Sequence, residues 1–346
     1  MKTVVRHTHP FARLRCSCRP FGIALLLLSG VCAVLLTSTA APASRPAAKP
    51  VILDTDIGDD IDDTWALGLL LRSPELDLKL VVGDYGRADY RARLLAKLLE
   101  RAGRSDVPVG VGLDREPRGD GRQAAWVKDY ELKRYPGKVY PDGVQALIDT
   151  IMRSPEPVTL ICIGPLPNIA EALKREPRIA QKARFVGMHG SVRVGYGGAA
   201  KPAAEWNVRA DPAACRAAFT APWDITITPL DTCGLVTLRG DKYRRVLGSK
   251  DPVAADIIAN YRAWVASDSN LPAQMAEERS STLFDTVAVY LAARQDLCVM
   301  ETLGLKVTDD GMTVVDSQAK QVTAATAWKD LGAFEDYLVE RLSAKR

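Results

Sequence analysis

Six aspartates, Asp54, Asp56, Asp59, Asp60, Asp62 and Asp63, fall within ten positions where an apolar strand pattern, VILDT, gives way to an apolar helical one. Two unit charges about 4 Å apart repel by roughly 4 kcal/mol at an effective dielectric near 20. Such a turn is either splayed in water or wrapped around a cation. Acid at a helix N-terminus is favoured by the helix dipole, which accounts for one or two aspartates but not for six. Far along the chain, Asp285 is the single acid in the apolar helical pattern STLFDTVAVYLAA, and an unpaired buried carboxylate is costly. Hard cations take oxygen ligands, typically about six to eight for Ca²⁺, from carboxylates, main-chain carbonyls and water. Asp56, Asp63, the carbonyl of Ile163 and Asp285 can supply such a set.

The elements that must position these groups alternate. Strand patterns begin at Val51 (VILDT), Leu78 (LKLVVG), Val158 (VTLICIG), Arg184 (RFVGM) and Asp224 (DITIT). Helical patterns begin at Asp62, Arg87, Asp142, Leu166, Asp211, Asp251 and Ser281. Strands joined by helical crossovers predict an α/β fold: a single domain with a mainly parallel open sheet, helices on both faces and a Rossmann-like core. Ligands bind outside the carboxyl ends of strands in that architecture, where the aspartate turn lies. The irregular stretch 112–140 reads as an excursion at the site's rim, and 305–326 as two further strands around Asp309-Asp310-Gly311.

Residues 1–43 read as a signal peptide. Lys2, Arg6, Arg13, Arg15 and Arg19 precede the apolar run FGIALLLLSGVCAVLL, and TSTAAPAS offers cleavage after Ala40 or Ala43. An uncleaved anchor is the rival reading, but the run is shorter than the ~20 residues of a spanning helix. A linker at 44–49 and one domain at 50–346 follow, exported to the periplasm or medium without a stable membrane anchor. Removing the leader takes five of the 46 basic residues and none of the 42 acids. The remaining balance does not call for nucleic acid or an anionic membrane. Of seven cysteines, Cys162, Cys215, Cys233 and Cys298 remain, widely spaced and read as mostly buried thiols with one disulfide open. His189 is then the only histidine, which excludes a two-histidine zinc site.

Four segments in order, DTDIGDDIDDTWAL at 54, GPLPNIAEAL at 164, AEWNVRADP at 204 and FDTVAV at 284, resemble the inosine-uridine preferring nucleoside hydrolases. Their hallmark D-x-D-P-G-x-D-D-A-x-A-L is present with two extra residues and Ile57 for proline. The resemblance covers roughly residues 50–343. It implies a Ca²⁺-dependent hydrolase that cleaves the N-glycosidic bond of a small-molecule nucleoside, built as a homo-oligomer. It implies Asp56 as ligand and general base, with Asp63, the Ile163 carbonyl and Asp285 as further ligands. Asp62, Glu205 and Asn207 would meet ribose hydroxyls.

Three positions depart from the family pattern. Phe284 stands where many members carry histidine, Asp84 where asparagine follows the second strand, and Ala199 where asparagine often precedes the motif glutamate. Asp84, His189 and Phe284 are pocket candidates on the base side. Trp126, Trp264 and Phe284 could stack on a base, with core packing as the competing reading. Strand alternation would turn Trp206 away from Glu205 and Asn207 into the core. Asp231 and Thr232 are either support for the site or a turn. Two other classes stay open: a non-catalytic ribosyl-binding protein on this fold, and a haloacid dehalogenase-type phosphatase, whose D-x-D fits Asp54-Thr55-Asp56 but whose later motifs are missing.

Overall fold

The computed structural model describes residues 47–115 and 121–344. The signal peptide expected at 1–43 lies outside the described residues, as does the first half of the linker. Ten strands form one sheet in the order β4-β3-β2-β1-β5-β6-β7-β10-β8-β9. They are β1 (Lys49–Thr55), β2 (Leu76–Gly83), β3 (Val109–Gly110), β4 (Val139–Tyr140), β5 (Val158–Cys162), β6 (Ala183–Met188), β7 (Ile225–Thr228), β8 (Cys298–Val307), β9 (Thr313–Val315) and β10 (Gln321–Trp328). Pairing is parallel from β4 through to β10 and antiparallel only for β10–β8 and β8–β9.

The predicted strands are all present, with β1 starting at Lys49 inside the expected linker. Region 305–326 holds three strands rather than two, because β8 begins at Cys298 and β10 runs separately from Gln321. The irregular 112–140 stretch carries a short helix, Ala124–Val127, a 3₁₀ turn and β4. It also buttresses the aspartate turn: Arg122 N donates to Gly58 O (3.1 Å) and Gln123 Nε2 to Asp60 O (2.8 Å).

Side chains along β1 alternate as a strand requires. Val51 and Leu53 enter one apolar layer while Ile52 enters the other. The first layer takes in the helices Asp62–Leu71, Ala88–Arg101, Pro252–Ala266, Thr286–Ala293 and Leu331–Ser343; the second takes in Gly143–Arg153, Pro167–Arg175 and Pro212–Thr220. The helix Asp62–Leu71 is buried along its whole length, as a run apolar on all sides must be. Among the described residues no helix is long and apolar enough to cross a membrane, and the four described cysteines are buried free thiols.

The position of the site follows from strand order. From β1 the chain goes outward to β2, β3 and β4 on one side, then returns to place β5, β6 and β7 on the other. The crevice between the carboxyl ends of β1 and β5 is therefore a topological switch point. Asn168 ties it together from the helix after β5, donating to Asp54 Oδ2 (2.9 Å) and to Gly83 O at the end of β2 (3.0 Å). Gly58 lets the chain leave β1 for the helix. Its φ is +120°, and a Cβ there would lie 2.5 Å from the Tyr90 ring. Gly58→Ala is expected to cost on the order of 1–3 kcal/mol, read as a lowered urea midpoint; an unchanged midpoint would show that the turn does not depend on this backbone.

Candidate active site

At that switch point lies a pocket walled on one side by Asp56, Asp60, Asp62 and Asp63. Ile163 follows β5 and Met188 ends β6. Glu205, Trp206 and Asn207 come from one short segment, Phe284 and Asp285 from the start of the helix Thr286–Ala293, and Tyr196 from the loop after β6.

Asp62, Asp63 and Asp285 each present a carboxylate oxygen within 4.8 Å of the others. Asp62 and Asp63 sit in the first turn of their helix. Asp285, expected inside a helix, instead occupies the N-cap position, because the helix begins at Thr286. Two helix N-termini thus meet at the cluster, and Asp285 N donates to Asp62 Oδ2 (3.3 Å). Each terminus brings about half a positive charge, far less than the carboxylates carry. Burial, followed by neighbouring aspartate charges, drives Asp62, Asp63 and Asp285 well above the usual carboxylate range. Asp56 is pushed up to about 7 by burial, against the pull of Arg91. An all-oxygen, buried and under-compensated carboxylate set fits a hard divalent cation such as Ca²⁺. The trio takes in Asp62, which the resemblance gave to the ribose, and Asp56 shares the same pocket.

The opposite rim is held by backbone contacts. Glu205 caps the short helix Trp206–Ala210: it accepts from Asn207 N (2.8 Å) and Val208 N (3.3 Å), and also from Gly190 N (3.0 Å). Burial lifts its carboxyl to about 7 while those amides pull it back. The Asn207 side-chain amide donates to the carbonyls of Ile163 (3.1 Å) and Met188 (3.0 Å). Gly164, next in the chain, lets the β5 turn touch Asp56: a Cβ there would stand 2.8 Å from Asp56 N.

Two predicted pocket residues lie behind the wall. His189 is fully buried, its Nε2 donating to Gly164 O (3.1 Å) and its ring packed on Phe185 and Phe219; burial lowers it to about 3. Asp84 is buried beside Asp54, and burial together with the Asp54 charge raises it well above the usual range. Strand ends fix direction through packing: β6 turns His189 inward onto aromatic rings, and β2 turns Asp84 toward β1. Trp206 is corrected the other way. Its segment is helical rather than extended, so Glu205, Trp206 and Asn207 all face the pocket. Trp264 is buried, donates to Asp59 O (2.8 Å) and carries Arg122 over its ring, while Trp126 packs under Lys97. Asp231 is support: it accepts from Val192 N (2.9 Å) and Arg193 N (2.8 Å).

Sequence reasoning missed Arg91 and Tyr196. Arg91 is buried, donating to the carbonyls of Asp56, Ile57 (2.8 Å) and Tyr85 and to Asp59 Oδ2 (2.9 Å). An arginine among the buried positions Tyr90, Ala92, Leu94 and Leu95 of one helix was its only signal.

The sequence model of inosine-uridine preferring nucleoside hydrolases matches residues 51–335. The pyrimidine-specific ribonucleoside hydrolase RihA of Enterobacter sp. (strain 638) is 32% identical over 321 residues, covering 86% of this chain and 98% of that protein. Uridine nucleosidase 1 of Arabidopsis thaliana is 30% identical over 303 residues, 81% of this chain and 85% of that protein. A solved plant nucleoside hydrolase superposes with a TM-score of 0.73 at 24% identity, covering 86% of this chain and 99% of its own, a likeness of fold. With the match running from β1 into the last described helix, the chain belongs to the inosine-uridine preferring nucleoside hydrolase family.

Proposed function

We propose that this protein hydrolyses the N-glycosidic bond of ribonucleosides with Ca²⁺ as cofactor, and that pyrimidine nucleosides are its preferred substrates. The observation that carries the reading is the buried carboxylate trio opening into the same pocket as Asp56, Glu205 and Asn207. The pyrimidine preference draws support from the similarity to a pyrimidine-specific hydrolase and a uridine nucleosidase.

Asp56, Asp63, Asp285 and the Ile163 carbonyl would hold the cation, with Asp62 beside them. When bound, it supplies a hard positive charge that anchors sugar hydroxyls and lowers the pKa of an adjacent water. Asp56 receives the proton of the attacking water. Asp62, Glu205 and Asn207 bind ribose hydroxyls, and Glu205 is pre-set for this by its three backbone donors. Carboxylates ranged under the sugar stabilise the oxocarbenium-like charge that develops as the C–N bond breaks. The homo-oligomer belongs to the same proposal; edge strand β9 exposes Val314 and Val315, the kind of apolar edge a second copy covers.

Ribose release from a panel of nucleosides tests the activity. Uridine and cytidine should lead, and exhaustive chelation should abolish turnover and lower the melting temperature, because a ligand held only by the folded state stabilises it. Purines leading would remove the pyrimidine preference; full activity in metal-free protein would remove the cation.

Asp56→Asn should lower kcat by about 10²-fold or more through loss of the base. Asp59→Asn should do far less, since Asp59 is half-exposed and pairs with Arg91 (2.9 Å) outside the pocket. Equal losses at the two positions would mean the roles within the turn are misassigned.

Export is also proposed, on the leader at 1–43. Amino-terminal sequencing of protein recovered outside the cytoplasm should begin at Ala41 or Ser44; an intact leader would overturn cleavage.

A further inference from the structure

Cleaving a nucleoside needs help at the departing base as well as at the sugar, and the pocket contains few groups able to give it. Phe284 has no proton to donate. His189 is fully buried with Nε2 committed to Gly164 O. The Asn207 amide N–H groups are spent on the Ile163 and Met188 carbonyls, leaving only its Oδ1, an acceptor. Facing the carboxylates, Tyr196, Trp206 and Phe284 form an aromatic wall.

Within that wall Tyr196 is set up as a donor. Its Oη accepts the Trp206 backbone N–H (2.8 Å), which occupies an oxygen lone pair and leaves the phenolic proton to be given elsewhere. The ring stands edge-on to Phe284, with centroids 6.1 Å apart and planes at 80°. At 43% exposure the residue is within reach of an entering ligand. Its loop is a built turn: Gly195 N donates to Ala199 O (2.9 Å), Gly198 N to Gly195 O (3.2 Å), and Gly197 and Gly198 take φ of +64° and +80°. Ser191 and Asp231 pin the stretch just before it, Ser191 Oγ donating to Val194 O (2.7 Å) and accepting from Ala203 N (3.0 Å).

We propose that Tyr196 donates a hydrogen bond to an exocyclic oxygen of the departing base. The proposal rests on the nucleoside hydrolase reading above. As the C1′–N bond breaks, its electron pair passes to the base and spreads onto that oxygen, where the phenol O–H stabilises it. The attacking water gives hydroxide to C1′ and its proton to Asp56. The base anion then takes a proton from solvent while Asp56 returns its own to solvent, so nucleoside and water become ribose and neutral base and the carboxylate is restored. Burial, with the Glu205 charge behind it, raises the Tyr196 phenol, which keeps its proton in place at neutral pH.

Tyr196→Phe in the otherwise intact protein tests this, with uridine and p-nitrophenyl riboside measured side by side. The ring and its contact with Phe284 survive this change; only the hydroxyl is lost. The nitrophenolate leaving group needs no donor, so its turnover also reports whether the variant is folded. The expected result is a fall in kcat of at least about tenfold for uridine with less than a twofold change for the nitrophenyl substrate. An unchanged ratio between the two substrates, whether both fall or neither does, would overturn the proposal and leave Tyr196 as a support for Trp206. Wild-type protein inert toward every nucleoside would instead defeat the underlying functional reading, a result visible before the variant is assayed.

Discussion

The site is organised by an excess of buried negative charge. Asp54, Asp56, Asp62, Asp63, Asp84, Asp285 and Glu205 are all buried around the ends of β1, β2 and β5, and Arg91 is the one buried guanidinium among the described residues. Carboxylates removed from water must be paired, protonated or bound to metal. Arg91 spends its hydrogen bonds largely on the main-chain oxygens of Asp56, Ile57 and Tyr85, so it shapes the turn more than it neutralises it. Two helix N-termini and a cation's worth of missing charge account for the rest. The same deficit that threatens the fold is what gives the pocket its affinity for a hard metal.

Sheet topology turns that charge into a site. At the β1–β5 switch point the connections diverge, leaving a crevice floored by strand ends rather than covered by a crossover helix. On the carboxylate side several groups are tied to the main chain: Glu205 accepts from three amides, Asp62 accepts from Asp285 N, and Asn207 donates to two carbonyls. The aromatic side is carried by a glycine-rich loop and a half-exposed tyrosine. The acidic side of the pocket is thus set by the ends of regular elements, while the aromatic side sits partly on a loop, the kind of element most open to change.

Much of this was legible from residue order alone, where local physics suffices. Period-two alternation in VILDT and helical patterning after Asp62 predict β1 and its helix because each depends on its own residues. Asp285 could be singled out because a charge in an apolar run is costly wherever it is buried. Eight of the pocket residues, Asp56, Asp62, Asp63, Ile163, Glu205, Asn207, Phe284 and Asp285, lie at or beside the ends of such elements.

Direction at the ends of elements is a different matter. His189 and Asp84 follow strands just as Asp56 does, yet one is turned into an aromatic layer and the other against Asp54, since neighbours packed from distant sequence decide which side is open. Trp206 reached the pocket because Glu205 caps a helix there, a hydrogen-bonded choice invisible to alternation. Arg91 and Tyr196 acquire their roles only when a helix and a loop far from the aspartate turn fold over it. Residue types and spacing by themselves determined the acidic turn, the parallel sheet and a hard-cation chemistry. Which side chains face the ligand, and which one can donate to a departing base, was decided by tertiary packing, because hydrogen-bond partners and burial belong to the folded arrangement rather than to any stretch of chain.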